Sequence, residues 1–119
     1  MKAKILFAHG ARNPDWAQPI LAIREAMLAR RPEARVEVAF LEFIAPQLPE
    51  TIDALVADGF LKIAIVPIFM AQSGHTKRDL PALVAAACAR HAGLVIEVAT
   101  PIGEVAGVVA AIADYALDL

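Results

Sequence analysis

Ile63-Ala64-Ile65-Val66-Pro67-Ile68 is an unbroken apolar run, set between Lys62 and a loop-like segment that begins at Phe69. Strict alternation would mark a strand with one wet face. A short continuous run instead fits a strand buried on both faces, as in a parallel sheet covered by helices. Three shorter runs belong with it. Ile5-Leu6-Phe7-Ala8 ends at His9-Gly10, Val36-Glu37-Val38-Ala39-Phe40-Leu41 ends at Glu42, and Leu94-Val95-Ile96-Glu97-Val98 leads to Thr100-Pro101.

Helical patterns separate these runs. Trp16, Ile20, Ile23 and Met27 recur at spacings that line one helix face. Asn13-Pro14-Asp15 ahead of them supplies a cap and a first-turn proline. Leu48, Ile52, Leu55 and Val56 repeat the pattern, with Gly59 at the expected C′ position. Leu80, Leu83, Val84 and Ala87 form a third stripe, for which Thr76 and Asp79 look like the capping pair. Val105, Val108, Val109 and Ile112 form a fourth. The strict β-α alternation predicts an α/β fold: a single three-layer domain over residues 1–119, with a four-stranded parallel sheet, right-handed crossovers and helices on both faces. No repeat, linker or low-complexity tract interrupts it.

Composition narrows the function. The chain is 59% hydrophobic but 6% aromatic, so its apolar content is mostly Ala, Val, Leu and Ile. A formal charge of −2 argues against a nucleic-acid partner recruited by bulk electrostatics. The single cysteine, Cys88, lies in an apolar run and is expected to pack as a buried thiol. The residues before the first strand are too short for a signal peptide, and no apolar window reaches the ~18 residues of a membrane span. A cytoplasmic protein with no membrane partner is the expectation.

Open parallel sheets bind ligands beyond the carboxyl ends of their strands. His9, Gly10 and Arg12 follow the first strand, Glu42 and Phe43 the second, and Phe69 through Arg78 the third. His9, His75 and Glu42 are thereby expected at one sheet edge, although far apart in sequence. Two imidazoles and a carboxylate are a common ligand set for Fe, Co, Ni or Zn, with positions left open for exchange. His91 falls near a helix C-terminus at the other edge, where a partly positive ring is favourable, and reads as structural. Gly10 and Gly74 each adjoin a candidate ligand, where a glycine permits a sharp turn or the close approach of a flat molecule. Nothing has the spacing of a nucleotide-binding loop. Phe69 and Met70 are candidates to line an apolar wall as well as to close the core. Of Arg12, Lys77 and Arg78, one is expected to hold substrate carboxylates.

Phe7-Ala8-His9-Gly10-Ala11-Arg12-Asn13-Pro14, with Phe40-Leu41-Glu42 and Ser73-Gly74-His75-Thr76-Lys77-Arg78-Asp79-Leu80-Pro81, resembles the short-form sirohydrochlorin cobaltochelatases of the CbiX type. The likeness runs through essentially the whole chain in motif order and spacing. The family's first motif commonly has serine where Ala11 stands, and its second has glycine where Ser73 stands; both departures spare the histidines. The resemblance implies half of a class II chelatase. Such an enzyme is ATP-independent, uses no nucleotide, and places Co, and in some members Fe or Ni, into sirohydrochlorin or a related tetrapyrrole on the way to cobalamin or siroheme. By the same resemblance His9 and His75 match the paired active-site histidines, and Glu42 lies where an acidic site residue is expected. Gly10, Arg12, Phe69, Gly74 and Lys77 become candidates for contact with the tetrapyrrole. Larger relatives carry two such units in tandem, so a homodimer with the site in or near the inter-chain cleft is implied, and two-fold symmetry is the default.

Two other functions use the same residues. A mannose-type IIA phosphocarrier also presents His-Gly after its first strand, and there His9 would accept a phosphoryl group, leaving His75 and Glu42 without a purpose. A metal- or tetrapyrrole-binding chaperone would use the same ligands without turning over.

Overall fold

The computed structural model describes residues 2–119; the side chain of His75 lies outside the described residues. In chain order the elements are β1 (Lys2–Ala8), a 3-10 turn (Pro14–Ala17), α1 (Gln18–Arg30), β2 (Val36–Phe40), α2 (Leu48–Ala57), β3 (Lys62–Pro67), α3 (Gly74–Arg90), β4 (Val95–Val98), a second 3-10 turn (Ile102–Glu104) and α4 (Ala106–Leu117). The four strands form one parallel sheet in the order β2-β1-β3-β4. The two most continuous apolar runs therefore occupy the two central strands, as burial on both faces requires.

Side-chain alternation divides the interior in two. Ala3, Ile5 and Phe7 of β1, with Ile63 and Ile65 of β3, face α2 and α3 and meet Leu48, Ile52, Leu55, Leu80 and Ala87. Leu6 and Ala8 point the other way, with Val36, Val38 and Phe40 of β2, toward Ile20, Met27 and Leu28 of α1. Ile5, Phe7 and Ile65 are wholly inaccessible, and each such side chain contributes roughly 1.5–3 kcal/mol of burial. The α2 stripe and its stop follow the sequence pattern. Gly59 takes φ +96°, its N–H donates to Val56 O at 2.9 Å and that of Phe60 donates to Leu55 O at 3.0 Å, which is a Schellman closure.

Three local expectations change. In α1 only Ile20 is fully buried, while Trp16 and Ile23 are 69% and 38% exposed. Residues 14–17 form their own 3-10 turn, capped by Asn13 Oδ1 accepting from Asp15 N–H at 2.9 Å, so Trp16 precedes the helix and is off its phase. The helix is instead tied to the sheet by Arg24, whose Nε donates to Val36 O at 2.8 Å. In α3 the cap is Ser73, which accepts from Thr76 N–H at 3.2 Å, not Thr76 with Asp79. The helix thus starts at Gly74, and the loop after β3 is shorter than expected. The largest difference is α4: it forms where its stripe lies but has no buried residue, and its main neighbour is the 3-10 turn before it. Helices do cover both faces, but α4 is not one of them.

Cys88 is partly buried against the α2–α3 side of the core, in keeping with its reading as a packed thiol. Among the described residues no helix is long and apolar enough to cross a membrane.

Candidate active site

The chain leaves β1 for β2 on one side and later crosses back to β3 on the other, so strand order reverses at β1 and β3. A crevice opens at such a point beyond the carboxyl ends. His9 follows β1, Glu42 follows β2, and His75 is the second residue of α3, which begins a few residues after β3. The backbone thus brings all three candidates to one edge.

The pairing of β1 and β2 continues beyond the strands proper. Leu41 N–H donates to Ala8 O at 3.0 Å, and Glu42 N–H donates to His9 O at 3.2 Å. This places the two side chains together, with His9 Nε2 and Glu42 Oε1 2.9 Å apart. A carboxylate only accepts, so the bond requires Nε2–H, and a neutral ring then carries its lone pair on Nδ1. Both side chains stay accessible, at 47% for His9 and 40% for Glu42, so an incoming ion can reach them.

Gly10 makes this approach possible. Its φ is +94°, and a Cβ there would overlap the Glu42 carbonyl oxygen. Gly74 is different: nothing lies within 4 Å of a Cβ built there and its φ is ordinary, so neither a turn nor a protein neighbour requires glycine at this position. The next residue on the β2 side, Phe43, has φ +70°, and Ile44 N–H donates to Glu42 O at 2.9 Å across it. A non-glycine residue held in this three-residue turn is strained by about 1–2 kcal/mol. Such strain collects at ligand sites. The Phe43 ring is 56% exposed, and the Arg12 guanidinium lies 5.4 Å from its centroid. That contact fixes a flat aromatic surface beside a cation.

Beside His9 lies a cleft of about 350 Å³ lined by Ala8, His9, Gly10, Trp16, Ile20, Phe40, Ile44 and Ile68. A second, more polar cleft of about 510 Å³ opens at the ends of β3 and β4 between Gln72, Lys77, Thr100 and Glu104. Lys77 is exposed on the first turn of α3, and Arg78 beside it is also exposed. Phe69 turns inward, its ring edge-on to Phe7 with centroids 5.8 Å apart, and packs on the core. Met70 is 65% exposed. Gly103 braces this loop: its N–H donates to Phe69 O at 3.0 Å, and a Cβ at Gly103 would overlap the Met70 backbone.

Among the described residues no group of three or more His, Cys, Asp and Glu side chains is gathered for a metal; His75, the third expected ligand, is not among the side chains described. His91 is at the other edge. It caps α3 and its Nε2 lies 2.7 Å from Asp53 Oδ1 on α2, where Arg90 also donates at 2.9 Å. The His91 ring and the Arg90 guanidinium, in that order, hold the Asp53 carboxyl below its ordinary value.

Trp16 has the spacing of the α1 stripe but borders the cleft beside His9. Pro19 was the available signal: with proline at its first turn, α1 starts at Gln18 and leaves Trp16 in a separate element.

The CbiX family model matches residues 3–118. A sirohydrochlorin cobaltochelatase of Methanococcus aeolicus is 37% identical over 84 residues, which are 71% of this chain and 59% of that protein. One from Saccharolobus islandicus is 38% identical over 84 residues, 71% of this chain and 64% of its own. The matches thus span less than two thirds of these curated relatives. Among solved structures, a CbiX protein from Marinobacter aquaeolei VT8 superposes with a TM-score of 0.86 at 27% identity, covering 99% of this chain and 96% of that one. The sirohydrochlorin chelatase SirB from Bacillus subtilis subspecies spizizenii, solved in complex with cobalt, gives 0.82 at 30% identity over 99% of this chain but 50% of its own.

Proposed function

The chain belongs to the CbiX family, and we propose that it is an ATP-independent metal chelatase that inserts cobalt into sirohydrochlorin. The observation that carries this reading is the pairing of His9 Nε2 with Glu42 Oε1 at 2.9 Å, on the edge of the sheet where α3 also brings His75. Two ligands about 2.1 Å from an ion and at right angles to each other stand about 3.0 Å apart, so this edge suits two neighbouring positions on one divalent metal. For the ion to take Nε2, the ring proton moves from Nε2 to Nδ1, so that a neutral imidazole and the carboxylate face the metal. His75 supplies a further imidazole, and the remaining positions exchange water for ring nitrogens of the tetrapyrrole.

The substrate side follows from the surroundings. The exposed faces of Phe43 and Trp16 offer flat apolar contact for a macrocycle, and Arg12 and Lys77 offer charge to its carboxylates. Gly10, whose missing side chain accommodates the Glu42 carbonyl, lines the cleft beside His9 where the ring would lie. His9 and His75 accept the pyrrole protons as the metal enters, and Glu42 offsets the charge of the ion. Residues 1–119 act as one domain, two copies enclose the macrocycle between their carboxyl-end edges, and the reaction takes place in the cytoplasm. Iron and nickel are alternative substrates, because such a donor set does not choose sharply among first-row ions; the product then enters cobalamin or siroheme synthesis.

Glu42 also weighs against phosphoryl transfer to Nε2 of His9, since the carboxylate 2.9 Å away holds that nitrogen as N–H and leaves it no lone pair with which to attack. Metallation of sirohydrochlorin, followed by its absorbance with Co, Fe and Ni in turn, tests the proposal. Many turnovers per chain with cobalt are expected. Product that stops at about one equivalent would identify a chaperone, and no acceleration over free solution would refute both.

A further inference from the structure

Asp79 does not have the capping role that its spacing from Thr76 suggested. The cap of α3 is Ser73, which accepts from Thr76 N–H at 3.2 Å. Asp79 therefore stands in the second turn of the helix, beyond the first turn where an acidic residue gains from the dipole. Yet it is half-buried. It borders a groove of about 290 Å³ between α2 and α3, beside Leu41, Gln47, Leu48 and Leu83, and no other described residue lining that groove is charged. Drawing a carboxylate partly out of water in such surroundings is unfavourable unless a donor meets it.

His75 is the residue that the helix brings there. Positions four apart share one helix face, at about 5–6 Å between Cβ atoms. The Cα–Cβ bonds of a helix tilt toward its amino end, so Asp79 leans over the turn that carries His75. Of the residues three and four away on this face, His75, Thr76, Ala82 and Leu83, only His75 has a titratable side chain. The turn itself is firmly held: Thr76 is buried, and its Oγ1 donates to Ser73 O at 3.1 Å. The groove also reaches Leu41, the residue before Glu42, so Asp79 belongs to the edge of the sheet where the metal is placed.

We propose that Asp79 is the positioning residue for His75. Its carboxylate accepts a hydrogen bond from one imidazole nitrogen and so leaves the other, with its lone pair, for the metal. Each histidine then has its own carboxylate. Glu42 reaches His9 from the neighbouring strand and can face the ion as well, whereas Asp79 stands one helical turn behind His75 and acts only through it. The inference rests on the metal site proposed above.

Cobalt(II) titrated calorimetrically into the full chain, with no tetrapyrrole present, tests this in wild type, Asp79→Ala, His75→Ala and the double variant. Asp79→Ala is expected to raise the cobalt Kd about 10–100-fold in the wild-type background. Once His75 is gone the same substitution should change it by less than about twofold, because its effect passes through that ring. Asp79→Asn keeps the shape and one accepting oxygen, so it is expected between Asp79→Ala and wild type. It also carries the test if circular dichroism shows the alanine variant to be unfolded. An unchanged Kd in the Asp79 variants, with His75→Ala weakened, would overturn the positioning role and leave the metal site standing. An equal loss in both backgrounds would overturn it too, since Asp79 would then act on the ion without His75. A wild-type Kd in His75→Ala would refute the metal site itself, and this inference with it.

Discussion

Gly10 and Glu42 touch through their backbones, so closely that any side chain at position 10 would overlap the Glu42 carbonyl oxygen. This contact, rather than a need for flexibility, explains the glycine after His9. It holds the segment after β1 against the segment after β2, and through it the imidazole against the carboxylate.

Gly10→Ala is accordingly expected to cost roughly 2–4 kcal/mol, from the left-handed φ and the overlap together. Gly74→Ala, where a Cβ meets nothing, should lie within about 1 kcal/mol of wild type. Urea unfolding of the two variants measures the contrast; equal effects would show that the tight approach at Gly10 does not exist in solution.

Trp16 and Phe43 separate binding from stability. Trp16 is 69% exposed, so Trp16→Ala should alter unfolding free energy by no more than about 0.5 kcal/mol. Phe43→Asn puts a residue that tolerates positive φ at a strained position and should be neutral or stabilising by up to about 1 kcal/mol. Both should raise KM for the tetrapyrrole about tenfold, which corresponds to the 1.4 kcal/mol expected of one lost aromatic contact. Unchanged KM in both would remove the aromatic surface from the site.

The Asp53–His91–Arg90 cluster gives a pH signature. The Asp53 carboxyl is held below its ordinary value by His91 and then Arg90, so the folded state binds its proton less readily than the unfolded chain. Its stabilisation is complete above the unfolded value of about 3.9 and is lost as pH falls through the folded one. Asp53→Asn should lower stability by at most about 1 kcal/mol at pH 7, the exposed pair being screened. That penalty should shrink as pH falls below the unfolded value and vanish once the carboxyl is protonated in the folded state as well. Thermal melts of both proteins from pH 7 to pH 2.5 follow it; a penalty constant across that range would mean the carboxylate's charge is not what matters.

Much of this architecture was legible because a continuous apolar run has few alternatives. Ile5–Ala8 and Ile63–Ile68 had to be central strands, and the residues after them had to share an edge. What the pattern left open concerns partners. Val105, Val109 and Ile112 identify an apolar helix face, but a stripe carries no information about which surface it meets. Trp16 has the spacing of the α1 stripe and fails to join it, because the 3-10 turn rotates it out of phase. Ser73 and Thr76 are both competent caps, and only the backbone trace decides between them. The shared edge of His9 and Glu42 followed from strand order; their hydrogen bond depended on Gly10, whose close contact with a carbonyl has no sequence signature.

Cobalt insertion into sirohydrochlorin by His9→Ala, His75→Ala and Glu42→Gln, compared with wild type at equal folded protein, tests the metal-handling site most directly. Each histidine variant should retain wild-type circular dichroism and lose about 10²–10⁴-fold in rate; Glu42→Gln should lose less, since the amide keeps a hydrogen-bonding oxygen but not the charge. Wild-type rates in either histidine variant would contradict the assignment of the metal to this edge of the sheet.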